Sequence, residues 1–455
     1  MSDETLKKAD KDYSTELDTA LPELEALGAS NLDAALDKLY AYEKKVRQAS
    51  DLTSAKRVLV VIVKLLANPR FPNWDRLNDD IQVLVKKHGQ SKQGIIAVVQ
   101  ETTDLLEKAP SMDVKLKTIE TLRTVTDGRI YLELERARVT QILARIEVET
   151  HQNYARAADL MGELQVETFG SMEMTEKIDF ILEQVELYLK KGDYSHAAIV
   201  SRKILVRYFK AADQDERVMQ QKIRFYQLKV EIALHENSYL DVCQNMRHIY
   251  DTKTIQEDDG RKHELLGNMV FFAVLAPHDN LQSDILHHLA KESDLSLLPL
   301  FDQLVSMFTT SELIRWPKVV EIYGSELRGN WVFAASDAGI HRWSDLHQRI
   351  IEHNIYVIAK FYSRISLQGL TELLDLSPGE TEEVLAKLVV NGSIWARVDR
   401  PKRIVSFVKP QDSEDVLNEW SNNTDKLLEH IETIGHLISK EEMMHGIKSS
   451  KVTTA

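Results

Sequence analysis

The sequence predicts a mostly α-helical protein: a helical-repeat solenoid resembling tetratricopeptide repeats, then a winged-helix domain and a long C-terminal helix. Three observations predict this fold class. The 455 residues include only 17 Gly and 10 Pro, both below average usage, which favours long helices over turns. A short phrase recurs in the first two-thirds of the chain. The last quarter carries a helix-turn-helix, two strand-like runs and a heptad helix, in that order.

The recurring phrase is an aromatic residue or Leu, a short spacer, and then Ala or Leu. Its anchors are Leu32, Trp74, Tyr154, Tyr194 and Tyr239. They are separated by 42, 80, 40 and 45 residues, which indicates a period of about 40 with one silent unit. Stacked antiparallel helix pairs have this period. An irregular helical array with chance aromatics is the alternative.

Residues from about 346 to 408 predict the winged helix. Ser377, Pro378 and Glu380 form a capping-box signature at the start of its third helix, and Asn391-Gly392 is a left-handed stop. Strand-like runs at 394–398 and 404–408 follow and predict a two-stranded hairpin. A hairpin has an open edge that can accept a partner strand. The candidate edge interface is Ile394, Ala396, Val398, Ile404 and Phe407.

The charges of this module argue against a nucleic-acid reader. The third helix offers Glu380, Glu382 and Glu383 against a single Lys387, and a phosphate backbone would repel it. The wing is more basic, with Arg397, Arg400, Lys402 and Arg403. Solvated turn residues explain these cations, and weak electrostatic contact is the alternative.

The C-terminal helix has a heptad seam. Its members are Leu417, Trp420, Thr424, Leu427, Ile431, Ile434 and Ile438. Steps of three and four place them on one stripe, which must be covered because exposed apolar surface is unfavourable in water. Periodicity leaves two coverings open: the chain's own domain, or a bundle of helices from several subunits. The six apolar members are the candidate bundle interface.

Composition narrows the class of protein further. The net charge of −14 and pI near 5.6 disfavour binding to nucleic acid or to an anionic membrane. The single cysteine, Cys243, suggests a reducing compartment, and the N-terminus shows no signal-peptide hydrophobic region. We expect a protein of the cytoplasm and nucleus.

No motif predicts catalysis. The spacing of Gly89 and Gly94 matches a phosphate-binding loop, but Ile95 and Ile96 stand where Lys and Ser or Thr are needed. Zinc-protease, nucleophile-elbow and dinucleotide-binding motifs are missing. The sequence therefore predicts no catalytic residue, no cofactor and no metal ligand.

We expect six segments along the chain. They are a flexible N-terminus (1–12), the helical-repeat solenoid (13–328), a linker or hinge (329–342), the winged helix (343–410), the assembly helix (411–447) and a flexible tail (448–455).

Five phrases carry a family resemblance. They are ELQVETFGSM at 163–172, TSELIRW at 310–316, IEHNI at 351–355, LVVNGSI at 388–394 and KEEMMH at 440–445. With helical repeats running into a winged helix, the chain resembles PCI-domain proteins, and among them the lid subunits of the 26S proteasome regulatory particle. The PCI domain is shared with the signalosome and translation initiation factor three, whose scaffold subunits remain the alternatives.

The resemblance implies a non-catalytic structural subunit of the 19S lid, acting in ubiquitin-dependent protein degradation. It implies a hetero-oligomer with other PCI subunits and metalloprotease-like subunits, joined through winged-helix edges and a shared helical bundle. It also implies contacts of the helical arm to the ATPase ring and the core particle, and a deubiquitinase held in another subunit. A winged-helix nucleic-acid binder is the alternative from another class.

Overall fold

The structure is a computed structural model that describes residues 13–28, 31–49, 51–67, 73–87, 89–170, 172–211 and 215–452. It divides into two compact units, Met1–Leu265 and Leu266–Ala455. The described residues are mostly helical, as the composition predicted. The predicted N-terminal segment 1–12 lies outside them.

The first unit consists of helices and short 3-10 turns. Its helices are α1 (Ser14–Gly28), α2 (Leu32–Gln48), α3 (Leu52–Leu66), α4 (Trp74–Lys86), α5 (Lys92–Leu105), α6 (Met112–Thr126), α7 (Glu133–His151), α8 (Tyr154–Gly162), α9 (Met174–Lys191), α10 (Tyr194–Ser201), α11 (Val206–Ala211), α12 (Glu216–His235), α13 (Tyr239–Tyr250) and α14 (Lys253–Gln256). The next helix, α15 (Asp259–Leu275), crosses into the second unit.

Each recurring phrase marks the start of the second helix of a pair. The residue immediately before each anchor is polar and is the N-cap, and the anchor is the first helical residue. This holds at α2, α4, α8, α10 and α13. In four of these the cap side chain accepts a hydrogen bond from the backbone N–H three residues on: Asn31, Asn73, Asn153 and Asp193. The silent unit is α6, which Ser111 caps in the same way before Met112.

The helix pairs stack through their first helices. α3 packs on α5, α5 on α7, α7 reaches α9 through α8, and α9 packs on α12. Leu, Ile and Val side chains from successive pairs share one buried core from Leu17 to Leu160, and a second core runs from Ala137 to Ile255. An apolar face that no helix can bury alone is thereby covered by the next pair.

A ladder of ion pairs joins three consecutive first helices. Arg138 and Arg145 on α7 bind Glu176 and Glu183 on α9, each with Nε to Oε1 at 2.8 Å. The same α9 binds two arginines of α12 through its other carboxylates: Asp179 with Arg217 at 2.8 Å and Glu186 with Arg224 at 2.5 Å. All four pairs span 38 residues. Because partners on one helix lie seven residues apart, both rows run along helix faces.

The described residues of the second unit contain seven more helices after the end of α15. These are α16 (Asn280–Ala290), α17 (Pro299–Thr309), α18 (Trp316–Gly329), α19 (Asp337–Phe361), α20 (Leu367–Leu374) and α21 (Pro378–Val390), with α22 (Ser413–Val452) after the strands. The strands are β1 (Arg364–Ser366), β2 (Arg397–Asp399) and β3 (Ile404–Ser406). α22 includes part of the segment predicted as a tail.

The segment 329–342, predicted as a linker, contains a 3-10 turn at Trp331–Phe333 and the first residues of α19. Phe333 is buried among aromatic rings, and Arg342 donates to the carbonyl of Val332 at 3.0 Å. A Cβ on Gly339 would lie 1.9 Å from the carbonyl oxygen of Ala334, so this position requires glycine. The segment is packed at Val332, Phe333, Gly339 and Arg342, and its use as a hinge stays a prediction.

Cys243 lies on α13 with 1% of its surface exposed. Burial raises the pKa of its thiol to about 12, which suppresses the reactive thiolate at neutral pH. The structure therefore places the cysteine in the core rather than at a reactive site.

The ion-pair ladder predicts the effect of Glu183→Gln. Glu183 accepts two hydrogen bonds from Arg145, at 2.8 and 3.0 Å, and one from Gln141. Losing this bidentate pair should lower the free energy of unfolding by about 1 kcal/mol in urea at low salt, and by less in 1 M NaCl. The exposed Glu120 on α6 gives the matched control, Glu120→Gln. Equal effects of the two substitutions would contradict a stabilising ladder.

Candidate assembly interface

The winged helix has its own core. Apolar residues from α19, α20, α21 and β3 meet there: Ile351, Ile355, Ile358, Leu370, Leu374, Leu385, Leu388 and Val405. The predicted capping box is confirmed, since Ser377 and Glu380 exchange side-chain to backbone hydrogen bonds at the start of α21. The predicted stop is confirmed as well, with Gly392 at φ 74°. The start and the end of α21, both predicted from the sequence, thus position the strands that follow it.

The sheet has three strands in the order β1-β3-β2, so the expected two-stranded hairpin was wrong in its strand count. The sequence analysis missed β1, which has only three residues and lies between two helices. Its pairing with β3 is extended by hydrogen bonds from Leu367 N to Arg403 O at 2.8 Å and from Phe407 N to Ser363 O at 3.0 Å. Because β3 is paired on both sides, its backbone offers no open edge; the outer edges belong to β1 and β2.

The five predicted edge residues divide into two groups. Ile394, Ala396, Val398 and Phe407 are partly buried against the domain's own core. Ile404 is 37% exposed, on the face of the central strand opposite to the core. The next residue of β3, Val405, is fully buried and lies opposite Ile365 on β1 and Val398 on β2. The alternation along β3 thus turns one face inward and leaves Ile404 outward.

The charges of the winged helix are largely paired with each other. Arg400 binds Glu382 at 3.0 Å, and Lys387 binds Glu383 at 2.8 Å. Hydrogen bonds from Ser377 lower the pKa of the Glu380 carboxyl, so that carboxyl stays charged. The Arg400–Glu382 pair occupies one wing cation, and Glu380 adds a negative charge to the third helix that no cation pairs in the described contacts, which disfavours a phosphate backbone on this surface.

The C-terminal helix α22 is 40 residues long, and every side chain described on it, from Ser413 to His445, is exposed. The six predicted interface residues are between 54% and 70% exposed: Leu417, Trp420, Leu427, Ile431, Ile434 and Ile438. Within the described residues the helix does not pack back onto its own domain, which was one of the two coverings left open. The seam is therefore available to other helices.

The apolar surface of α22 is wider than the predicted seam. Leu428 and Leu437 are also more than half exposed. At 100° per residue they lie roughly 80° and 100° from the centre of the seam, on opposite sides. A heptad count does not include them because they occupy neither seam position. An apolar arc of roughly half the circumference suits contact with more than one neighbouring helix.

Among the described residues, no cluster of three or more His, Cys, Asp or Glu side chains could hold a metal ion. The same part of the chain contains no helix with the length and apolar character needed to span a bilayer.

Helical repeats, a winged helix with open sheet edges and an uncovered C-terminal helix define a PCI-domain assembly subunit. Three family matches cover these parts in turn. They are the N-terminal region of PSMD12 and CSN4 at residues 34–258, the PCI domain at 320–409, and the C-terminal domain of the 26S proteasome regulatory subunit RPN5 at 414–446.

Two relatives match almost the whole chain. The 26S proteasome regulatory subunit RPN5 of Saccharomyces cerevisiae is 47% identical over 99% of this chain and 100% of its own length. The 26S proteasome non-ATPase regulatory subunit 12 homolog A of Arabidopsis thaliana is 37% identical over 92% and 98%. COP9 signalosome complex subunit 4 of the same plant is more distant, at 21% over 65% and 72%. The chain belongs to the family of RPN5 and non-ATPase regulatory subunit 12, regulatory subunits of the 26S proteasome.

The register of β3 predicts effects of different size at two neighbouring residues. Val405→Ala removes two buried methyl groups from the core and should lower the free energy of unfolding of the winged helix by about 2 kcal/mol. Ile404→Ala removes more atoms, but from an exposed side chain, and should cost less than about 0.5 kcal/mol. Denaturant unfolding of the two variants measures both. A larger loss of stability for Ile404→Ala than for Val405→Ala would contradict the burial of Val405 and the exposure of Ile404.

Proposed function

We propose that this chain is a non-catalytic structural subunit of the 19S regulatory particle lid of the 26S proteasome. The observation that carries the proposal is the uncovered apolar arc of α22, in the segment that matches the C-terminal domain of RPN5. A helix with this arc is stable in water only when other helices cover it. We infer that α22 enters a bundle formed with other lid subunits, through Leu417, Trp420, Leu427, Ile431, Ile434 and Ile438.

The winged helix supplies the second joint of the proposal. The outer edges of β1 and β2 pair with no further strand in the described part of the chain. A neighbouring PCI subunit could extend the sheet at such an edge, where backbone hydrogen bonds supply the attraction. Ile404 would add apolar contact from the outward face. Ile394, Ala396, Val398 and Phe407 would act indirectly, by holding the edge strands on the core.

The mechanism we propose is positional. Stacked helix pairs joined by ion pairs give an arm of defined geometry, and two joints at its C-terminal end fix the neighbouring subunits. The neighbours are other PCI and metalloprotease-like subunits, with the arm contacting the ATPase ring and the core particle. The chain would thereby place a partner deubiquitinase for ubiquitin-dependent degradation in the cytoplasm and nucleus. It would need no cofactor, membrane or nucleic acid.

The proposal assigns a role to each segment. Residues 13–328 would form the arm, 329–342 its connection, 343–410 the winged part of the PCI domain and 411–447 the assembly helix. The compact units divide instead at 265, inside α15, so part of the proposed arm packs in the second unit.

The bundle predicts that Ile431→Asp with Ile434→Asp blocks incorporation into the regulatory particle. Two carboxylates buried in the bundle would lose their hydration without gaining partners. The matched control is Thr433→Asp with His436→Asp, which has the same spacing on the opposite face of α22. Native co-purification from cells measures incorporation. Normal entry of the seam variant into the complex would contradict the bundle.

Truncation after Val408 tests the assigned complex. The full chain should co-purify with lid and core subunits, identified by mass spectrometry, and the truncated chain should lose them. Recovery of signalosome subunits, initiation factors or nucleic acid with the full chain would contradict the assignment. For nucleic acid, salt-sensitive binding that disappears on charge reversal of Arg400, Lys402 and Arg403 would support that alternative.

A further inference from the structure

The second unit contains a cleft that the assembly function does not use. It lies between α16, the end of α17 and the last three turns of α19, and has a volume of about 310 Å³. This is about ten times the volume that one water molecule occupies in the liquid, and it is in the range of small-ligand sites.

The walls of this cleft are fixed by buried hydrogen bonds. Asn354 on α19 accepts from Ile314 N at 2.8 Å and donates to Ile314 O at 2.7 Å, which ties the segment after α17 to α19. Gln282 on α16 donates to Ala273 O at 3.0 Å. Asn354 and Gln282 are each 4% exposed. The cleft is therefore a built feature rather than a gap between loose side chains.

Cationic and hydrogen-bonding groups converge on the cleft. Lys360 donates to the Ser311 hydroxyl at 2.9 Å and keeps two of its three ammonium hydrogens for another acceptor. Arg349 pairs with Glu352 through Nη1, while its Nε is buried with no hydrogen-bond partner in the described residues. Three imidazoles complete the lining, those of His278, His287 and His353.

Negative charge is scarce in the same space. Glu352 is the one acidic residue among those that line the cleft, and Arg349 already engages it. Burial lowers the pKa of His353, so its imidazole is held neutral next to cations. Lys360, an exposed side chain, therefore has donor capacity that no carboxylate of the cleft satisfies, whereas the Nε of Arg349 is closed off from solvent. An anion would supply the acceptors.

We propose that this cleft binds a phosphate monoester. A tetrahedral phosphate offers several acceptor oxygens at once, which matches an ammonium, a guanidinium and hydroxyl groups approaching from three elements. The volume beyond the phosphate leaves room for the group that carries it. Two sources share this chemistry: a phosphorylated side chain of a partner protein, and a free small phosphate ester.

Calorimetric titration of the full chain with inorganic phosphate, phosphoserine and a phosphoserine hexapeptide tests the proposal, with sodium chloride holding ionic strength constant. We expect saturable binding at millimolar concentrations or below, weakened about tenfold by Lys360→Gln. The matched control, Lys318→Gln, removes the same charge from the exposed surface of α18 and should change nothing. Arg349→Lys keeps the charge beside Glu352 but removes the planar guanidinium with its forked donors, and should weaken binding several-fold.

The titrants separate the two sources. Tighter binding of the phosphopeptide than of phosphoserine, with no binding of the unphosphorylated peptide, would indicate a protein partner. Equal or tighter binding of phosphoserine would indicate a small ester. The proposal is overturned if no phosphate species binds up to about 10 mM. It is also overturned if Lys360→Gln and Arg349→Lys, folded by circular dichroism, bind as Lys318→Gln does.

Discussion

Burial of apolar helix faces by the neighbouring element is the constraint on which this structure depends. In the first unit each helix pair is covered by the next, and the two cores there draw side chains from successive pairs. The requirement that apolar helix faces be buried continues beyond the last helix pair. The C-terminal helix α22 carries the same kind of apolar stripe, and no described residue of its own chain covers that stripe. We infer that covering it is a condition for assembly as well as for stability.

Burial of apolar surface has no preferred direction, and polar contacts determine how the helices are aligned. N-cap residues such as Asn153 and Asp193 fix where the second helix of a pair begins. Arginine–carboxylate pairs between α7, α9 and α12 fix the axial position of one first helix against the next, always one repeat apart. Surface pairs contribute modest stability individually, but a ladder with a constant spacing admits one register.

In the second unit, α19 connects three functions of the structure. Its first turn needs Gly339 against the Ala334 carbonyl, its inner face builds the winged-helix core through Ile355, and its other face lines the phosphate cleft through Arg349 and Lys360. A ligand in that cleft would contact the same helix that holds the sheet whose edges we propose as joints. The joints belong to the function that we propose for the chain, and the cleft is a separate proposal.

The sequence alone determined the helical class, the anchors of the repeats, the capping box at Ser377 and the seam of α22, because these are local patterns with fixed spacings. It found five of the six repeat units between residues 31 and 250 and missed the one in which Met112 replaces an aromatic anchor. Only the tertiary structure decided that β3 is the central strand, since three-residue strands such as β1 have no local signature and pair across about 40 residues. It also decided that Val398 faces the core while Ile404 faces outward, that the described side chains of α22 are uncovered, and that residues of α16, the end of α17 and α19 line one cleft. Those facts depend on contacts between distant segments, which periodicity within one segment does not encode.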